Sequence, residues 1–456
     1  MSPPPPPPSD SADSDPAAAA FPDREVHKPT VTRRNWTSLW SVLIVQAQNA
    51  FNDNFVKITL IGLALIVAQG TAIGDRIEHI MSALIPIPFI LLAPIAGCFS
   101  DRFSKRQVIL LCVVAQIAIF IFIAASVWFR SVPMAVFGFF LLAVQSTMFS
   151  PAKQGILKEL VGSERLGFAN GFLQMLTMVG ILAGMWLGGE WFDHLFEGYN
   201  KETGTSPDNA WRAAMIPILA IGAGALVPLA MSFAVEPTPN HPNTKFRKEI
   251  WWSHFVELGY LFSHRPIRIV ALLTALYWLV ANFLALTVFA FARELFPDVA
   301  EGGTTSASSK MLAFVGVGLM AGSMMVSLLS RKRIQLGLAP VGAFGMALGL
   351  GGLAFLEAGS TIWEFAFLFT GFASGFFLIP LAATLQDLPE EQHRGRVLAA
   401  TNLLTSLSGV IAISISLVFR QIGLSASTQV FVFAVPLALI GVYTLNLANR
   451  LTTKPE

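Results

Sequence analysis

Twelve apolar runs divide the chain, and each is long enough to cross a lipid bilayer as a helix. A membrane-spanning helix needs about 20 mostly apolar residues, because the hydrocarbon core is roughly 30 Å thick. The sequence is 54% apolar and only 13% charged, whereas a water-soluble protein of 456 residues needs a more highly charged surface. We therefore predict an all-α membrane protein with twelve transmembrane helices. The predicted spans are residues 39–67, 77–99, 107–129, 133–156, 166–192, 211–235, 267–292, 309–330, 336–357, 361–386, 396–419 and 427–448.

Basic residues are concentrated in the loops on one side of these spans. With the N-terminus in the cytoplasm, that side carries Arg33, Arg34, Arg102, Lys105, Arg106, Lys158, Arg165, Arg331, Lys332, Arg333, Arg394 and Arg396. The other side has scattered basic residues such as Arg76, Arg130, Lys201 and Arg420. Loops rich in Lys and Arg stay on the cytoplasmic side of a membrane. We therefore expect a multi-pass protein with both termini in the cytoplasm.

Composition divides the chain into five segments. Residues 1–35 are rich in proline, serine and aspartate, which predicts a disordered cytoplasmic tail rather than a signal peptide with an apolar core. Residues 36–235 and 267–449 hold six spans each, residues 236–266 form a cytoplasmic linker, and residues 450–456 form a short cytoplasmic tail. In the linker, apolar residues recur at helical spacing, which predicts an amphipathic helix along the membrane surface. These residues are Trp251, Phe255, Leu258 and Phe262.

The two sets of six spans resemble copies of one unit. The segment after span 4 has a proline, an acid, an arginine and an asparagine in the same order as the segment after span 10. The matching residues are Pro151, Glu159, Arg165 and Asn170 in the first half, and Pro380, Asp387, Arg394 and Asn402 in the second. Duplication predicts two pseudo-symmetric six-helix bundles that rock about a site near mid-membrane. Helix-capping acids and cytoplasmic arginines would produce the same pattern without duplication.

A loop motif between spans 2 and 3 resembles the signature of the major facilitator superfamily. The motif reads GCFSDRFSKRQ and contains Gly97, Asp101, Arg102, Lys105 and Arg106. The resemblance implies the major facilitator fold, and it implies that Asp101 and Arg102 latch the two halves together on the cytoplasmic side. The corresponding stretch of the second half, LLSRKRIQLG, has basic residues and no aspartate. Gating contacts and solvated loop charges both remain open for Glu159, Arg165, Asp387 and Arg394.

Two further stretches are similar to segments of the bacterial lysophospholipid transporter family. They are FNDNFVK in span 1 and FSPAKQGILKEL at the end of span 4. This resemblance implies a secondary transporter or flippase that moves lysophospholipids across the cytoplasmic (inner) membrane by alternating access. Its expected partners are the lysophospholipid, membrane lipids and a separately encoded acyltransferase. We expect a monomer that needs no cofactor.

Span 1 carries a stripe of polar residues where hydrocarbon-facing residues are expected. A charged side chain at the bilayer centre costs about 2.5 to 3.5 kcal/mol, so each must be paired or must face a cavity. Asp53 and Lys57 are four residues apart, the favourable spacing for an ion pair on one helix face. The predicted substrate-binding residues are Gln46, Asn49, Asp53, Asn54 and Lys57 of span 1, with Lys153 and Asn282.

Each of these residues also has an interpretation without function. Asp53 and Lys57 could neutralise each other and attach span 1 to its neighbours. Lys153 lies near the end of span 4, where its ammonium could reach the membrane surface as an anchor. In the functional interpretation, Lys57 binds the phosphate of a lysophospholipid and Asp53 binds its amine.

Other classes of protein are disfavoured by the sequence. An ATP-driven pump needs a phosphate-binding loop with a Gly-Lys pair, which the chain lacks. An acyltransferase would show a histidine followed five residues later by an aspartate, and none of the seven histidines has one. We therefore do not expect an enzyme, and a net charge of +2 gives no reason to expect nucleic-acid binding. The main rival is a proton-coupled exporter of drugs or small amphipathic solutes, with Asp53 as proton carrier.

Overall fold

The computed structural model describes residues 32–71, 73–74, 77–204, 206–238, 253–295 and 301–452. Several sequence predictions therefore fall outside the described residues. They concern most of the proline-rich tail (residues 1–31), Arg76, Trp251 and the last four residues of the C-terminal tail. The side chain of Phe255 is outside them too.

The described residues form fifteen α-helices. They are α1 (Arg33–Val67), α2 (Ile77–Leu84), α3 (Pro86–Arg102), α4 (Lys105–Trp128), α5 (Val132–Val161), α6 (Leu166–Thr203), α7 (Asp208–Gly224), α8 (Leu226–Phe233), α9 (Ser253–Ser263), α10 (Arg265–Leu295), α11 (Glu301–Leu329), α12 (Leu338–Phe355), α13 (Thr361–Asp387), α14 (Arg394–Gln421) and α15 (Ala426–Thr452).

These helices supply twelve candidate membrane spans, which confirms the predicted number. Helices α2 and α3 together form the second span, and α7 and α8 together form the sixth. Helix α9 lies in the linker, where Leu261 is fully buried against the second half. Helix α6 continues to Thr203, eleven residues beyond the predicted end of its span, because helical hydrogen bonding continues past the point where hydropathy falls.

A proline follows each of the two breaks that divide a span into separate helices. Helix α2 ends at Leu84, four residues before Pro88, and α7 ends at Gly224, four residues before Pro228. In a continuous helix the carbonyl of residue i−4 accepts a hydrogen bond from the N–H of residue i, and proline has no N–H. The carbonyls of Leu84 and Gly224 therefore lack their helical donors, which weakens the helix at these points. A proline alone does not end a helix here, because other prolines lie inside continuous helices: Pro94, Pro151, Pro217, Pro380 and Pro436.

Most buried hydrophobic side chains belong to cores within one half, and a small cluster of Ala93, Ala399 and Leu403 joins the two halves. The largest core lies between Leu261 and Leu437 and includes Phe283 and Phe367. The first six spans contain two further cores, one on each side of mid-span, and Phe55 belongs to one of them. Glycines bring the first and fifth spans close together, because a Cβ on Gly180, Gly184 or Gly188 of α6 would meet the backbone of α1.

Candidate functional site: a central cavity closed at one end

A cavity of about 800 Å³ lies between the two halves. Helices α1, α2, α3, α5 and α6 line it from the first half, and α10, α13 and α14 line it from the second. One end of the molecule carries the basic loops between α3 and α4, between α5 and α6, and before α14; we call it the basic end. A cavity of this size, enclosed by both halves, could hold a small or medium-sized substrate.

The cavity lining is richer in polar side chains near the basic end and richer in apolar side chains farther from it, where Lys57 and Ser82 also lie. Near the basic end its lining includes Ser150, Asn170, Gln386, Thr401 and Asn402. Farther from that end it includes Ile85, Phe89, Leu286, Phe289 and Ile413. We call these regions the polar floor and the apolar wall. The arrangement suits a molecule with a polar part and an apolar part.

Four of the seven predicted substrate-binding residues line the cavity: Gln46, Lys57, Lys153 and Asn282. The other three lie elsewhere. Asn54 donates a hydrogen bond to the backbone oxygen of Ala50 one turn earlier, at 2.8 Å. Asn49 is 7% exposed and packs behind the lining, together with Asp53.

Lys153 is held at the cavity by a chain of hydrogen bonds between helices. Its Nζ donates to Oε1 of Gln46 at 2.9 Å, and Nε2 of Gln46 donates to Oγ1 of Thr177 at 3.1 Å. Gln46 is 4% exposed, so the Lys153 ammonium points into the bundle and not toward the membrane surface. The interpretation of Lys153 as a surface anchor is therefore wrong for this arrangement.

Asp53 has different partners from those the sequence suggested. Its Oδ2 accepts hydrogen bonds from Oγ of Ser146 at 2.6 Å and from Nδ2 of Asn49 at 3.2 Å. The positive charge that acts on the Asp53 carboxylate belongs to Lys153. The ion pair with Lys57 predicted from their spacing is not formed, because other helices supply better-placed partners. Asp53 Oδ1 is buried, with no hydrogen-bond partner in the described part of the chain.

Residues missed by the sequence analysis complete this network. Nε2 of Gln116, on α4, donates to Oδ1 of Asn49 at 3.0 Å, and Ser146 is on α5. Gln116 is a single polar residue in an apolar run, which is a signal that could have identified it, whereas Ser146 lies between Gln145 and Thr147. The pairing of both residues with span 1 appears only in the fold.

Asp101 joins the two halves at the basic end. It is 2% exposed, and its carboxylate accepts hydrogen bonds from the backbone N–H groups of Gly395 at 2.9 Å and Arg396 at 3.2 Å, in the first turn of α14. The guanidinium of Arg396 lies 3.9 Å away. Gly97 lets the helices approach, because a Cβ there would be 2.8 Å from that of Ala399.

Two acids add ion pairs across the same end. Glu159 pairs with Lys105 of its own half and with Arg394 of the other half, the latter at 3.6 Å. Asp387 pairs with Lys158 across the halves at 2.6 Å. These groups are thus in contact rather than dispersed in solvated loops.

The other three predicted gating residues contact their own half. Arg165 lies over the ring of Trp36 at 6.0 Å, and Arg106 donates to the backbone oxygen of Phe233 at 3.2 Å. Arg102 lies over the ring of Phe103 at 5.7 Å. Asp101 therefore makes a contact between the halves of the kind that the resemblance implies. The contacts named here for Arg102, Arg106 and Arg165 stay within the first half.

Small and polar residues join the halves beside these charges. Oγ of Ser327, on α11, donates to the backbone oxygen of Phe168, on α6, at 2.6 Å. Asn170 and Gln386 exchange two hydrogen bonds at 3.1 and 2.8 Å, and Nδ2 of Asn402 donates to Oγ of Ser150 at 3.1 Å. These contacts seal the polar floor at the basic end.

Comparison with known proteins agrees with this architecture. The family model described as Major Facilitator Superfamily matches residues 35–413. The chain belongs to the major facilitator superfamily. This confirms the fold expected from the loop motif, and it makes the protein a multi-pass membrane transporter rather than an enzyme.

Among relatives of this superfamily member are transporters named for lysophospholipids. The lysophospholipid transporter LplT of Cronobacter sakazakii is 27% identical over 371 residues, which cover 80% of this chain and 84% of that protein. The LplT of Citrobacter koseri is 28% identical over 377 residues, which cover 80% of this chain and 86% of that protein.

Solved transporters share its fold. The E. coli fucose:proton symporter FucP has a TM-score of 0.68 with this superfamily member at 16% identity, over 90% of this chain and 98% of that one. The human organic anion transporter MFSD10 has a TM-score of 0.67 with this chain at 13% identity, and the match covers 90% of this chain and 99% of that one. At these identities the likeness concerns the fold alone.

Proposed function

We propose that this transporter moves lysophospholipids across the bacterial inner membrane by alternating access. The observation that carries the proposal is the division of one cavity into a polar floor with Lys153 and an apolar wall. A lysophospholipid has the same division, since a phosphate headgroup is joined to a single acyl chain. The names of the relatives support the same substrate class.

In this proposal the headgroup binds at the floor and the acyl chain lies along the apolar wall. Lys153 meets the phosphate, and the amides of Gln46 and Gln174 donate to its oxygens. Leu286 and Phe289 shield the chain from water, which is favourable by about 0.8 kcal/mol for each buried CH₂. The headgroup is thereby carried across the membrane without contact with lipid tails.

The proposed orientation places the basic end in the cytoplasm, as expected from the distribution of basic loops. The described contacts between Asp101 and α14, and between Lys158 and Asp387, would then close the cavity toward the cytoplasm. Transport requires a second arrangement in which these contacts open. A separately encoded acyltransferase would use the imported lipid.

The proposal can be tested in vesicles that contain the purified protein and a labelled lysophospholipid. We expect Lys153→Ala to lower the rate of lipid movement about tenfold or more, because the phosphate loses a charged partner. The matched control is Lys201→Ala, since Lys201 is exposed and pairs locally with Glu197. Absence of protein-dependent lipid movement in the wild type would contradict the proposed function.

The arrangement of Asp53 supports a second candidate, a proton-coupled exporter of small amphipathic solutes. One of its carboxylate oxygens is buried without a hydrogen-bond partner in the described part of the chain, and such a group is a candidate proton carrier. In this case a pH gradient would drive accumulation of the solute in vesicles, and Asp53→Asn would abolish that accumulation. The wild-type protein would not move lysophospholipids across the vesicle membrane.

A further inference from the structure

The linker helix α9 is attached to the second half. Leu261 is fully buried in the hydrophobic core of that half, and Tyr260 packs against the same core. The turn between α9 and α10 is short and hydrogen-bonded, because the backbone oxygen of Tyr260 accepts from Oγ of Ser263 at 2.9 Å and lies 2.8 Å from Nδ1 of His264. Helix α9 should therefore move together with α10.

One side chain of α9 reaches the contact between the halves. Leu258 is half-buried and packs against the small apolar cluster formed by Ala93 of α3 with Ala399 and Leu403 of α14. Helix α9 as a whole contacts α3 of the first half as well as α14 of the second. Leu258 therefore lies where two helices meet that must separate when the basic end opens.

A ring stack joins α9 to the start of α14. The ring of Tyr260 lies nearly parallel to that of His393, with the centroids 5.0 Å apart and 16° between the planes. His393 comes immediately before α14, whose first turn donates the two backbone hydrogen bonds to Asp101. The stack therefore fixes the end of α14 that Asp101 binds.

The beginning of the linker is attached to the first half. The backbone N–H of Glu236 donates to Oγ of Ser38 at 3.0 Å, and the backbone N–H of Lys105 donates to Oγ1 of Thr238 at 2.9 Å. These bonds place the start of the linker beside α1 and α4, whereas α9 is attached to the second half. The linker is thus bound to both halves at the basic end.

We propose that α9 is a strap that keeps the basic end closed. Leu258 stabilises the contact of α3 with α14, and Tyr260 positions the first turn of α14 for Asp101. Because α9 moves with the second half, separation of α3 from α14 would expose the apolar surface of Leu258 and Ala93 to water, which is unfavourable. The contact is made only in the closed arrangement and therefore favours it. This role is independent of the identity of the substrate.

The test measures how often the basic end opens in the full-length protein. A cysteine at Gln154, in the cavity lining, is labelled by an impermeant thiol reagent added at the basic end, with Cys98 and Cys112 replaced by alanine. We expect Leu258→Ala to raise the labelling rate about fivefold, because part of the apolar contact of the closed arrangement is lost. Phe262→Ala is the matched control on the same helix, since Phe262 is 38% exposed, and its rate should stay within about twofold of the unsubstituted rate.

Two further variants separate the ring stack from the packing of Leu258. Tyr260→Leu keeps an apolar side chain against the second half and removes the stack on His393, so it should raise the labelling rate about threefold. Leu258→Met retains the volume of the side chain and should label at the unsubstituted rate.

The proposal would be overturned if Leu258→Ala and Tyr260→Leu both labelled at the rate of Phe262→Ala. It would also be overturned if Leu258→Met labelled as fast as Leu258→Ala, since loss of packing would then not be the cause. Neither result concerns the movement of lysophospholipids, so failure of the strap and failure of the proposed function are separate outcomes.

Discussion

The two sides of the basic end join the halves by different chemistry. On one side, Asp101 of α3 accepts hydrogen bonds from the first turn of α14. On the other side, Gly167 and Gly171 of α6 pack against Ser323, Ser327 and Ser330 of α11. We call these the charged side and the packed side.

The difference teaches that equivalent loops of the two halves need not have equivalent roles. The last turn of α3 has an aspartate, Asp101, whose carboxylate fits the N-terminus of α14 because the first N–H groups of a helix are unsatisfied and the helix dipole is positive there. The loop after α11 has no aspartate, and close packing of small residues occupies the corresponding position. Electrostatics should therefore control one side and steric fit the other.

The largest expected effect comes from wedging the packed side open with Gly171→Val. Even the Cβ would lie 2.6 Å from the backbone oxygen of Ser323 and 2.8 Å from Cα of Ser327. We expect a destabilisation of the closed arrangement by about 3 kcal/mol, roughly a hundredfold in its population, since overpacking between backbones cannot relax by side-chain rotation.

The measurement is labelling of Gln154→Cys by an impermeant thiol reagent added at the basic end, with the buried Cys98 and Cys112 replaced by alanine. Gly198→Val is the matched control on the same helix, because a Cβ at Gly198 meets nothing within 4 Å. Labelling of Gly171→Val at the control level would show that the packed side does not keep the cavity closed.

A smaller effect is expected on the charged side from Asp101→Asn. The substitution keeps the shape of the side chain and removes its charge, so the hydrogen bonds from Gly395 and Arg396 weaken by about 2 kcal/mol. This corresponds to a roughly thirtyfold increase in the open population, measured by the same labelling of Gln154→Cys. Asp208→Asn is the control, since Asp208 forms an exposed ion pair with Arg130 at the opposite end. If the two variants label alike, Asp101 is not a latch.

The smallest effect is expected from the partly exposed pair of Lys158 and Asp387. A double-mutant cycle with Lys158→Met and Asp387→Asn should give a coupling energy of about 0.5 to 1 kcal/mol for opening of the basic end. Lys310 and Glu364 form a pair of the same 2.6 Å length within the second half, so the same cycle there should give no coupling to opening. Equal coupling in both cycles would remove the distinction between the pairs.

The polar residues show where sequence reasoning succeeded and where it failed. The apolar runs predicted all twelve spans, and the loop motif singled out Asp101, which accepts a hydrogen bond from α14 in the structure. Spacing along one helix misled the analysis at Asp53, whose partner proved to be Ser146 on another helix. Spacing along the sequence identifies neighbours on the same helix only. A side chain within a bundle can also form hydrogen bonds with residues of several other helices.

The sequence by itself determined the number of spans and the set of loops in which basic residues gather. These features follow from local physics, because hydrocarbon excludes unpaired backbone groups and charges whatever the neighbouring helices are. The tertiary structure alone decided that Lys153 faces the cavity and that Asp53 lies behind it. Their partners are about a hundred residues away along the chain, so only helix packing could bring them together.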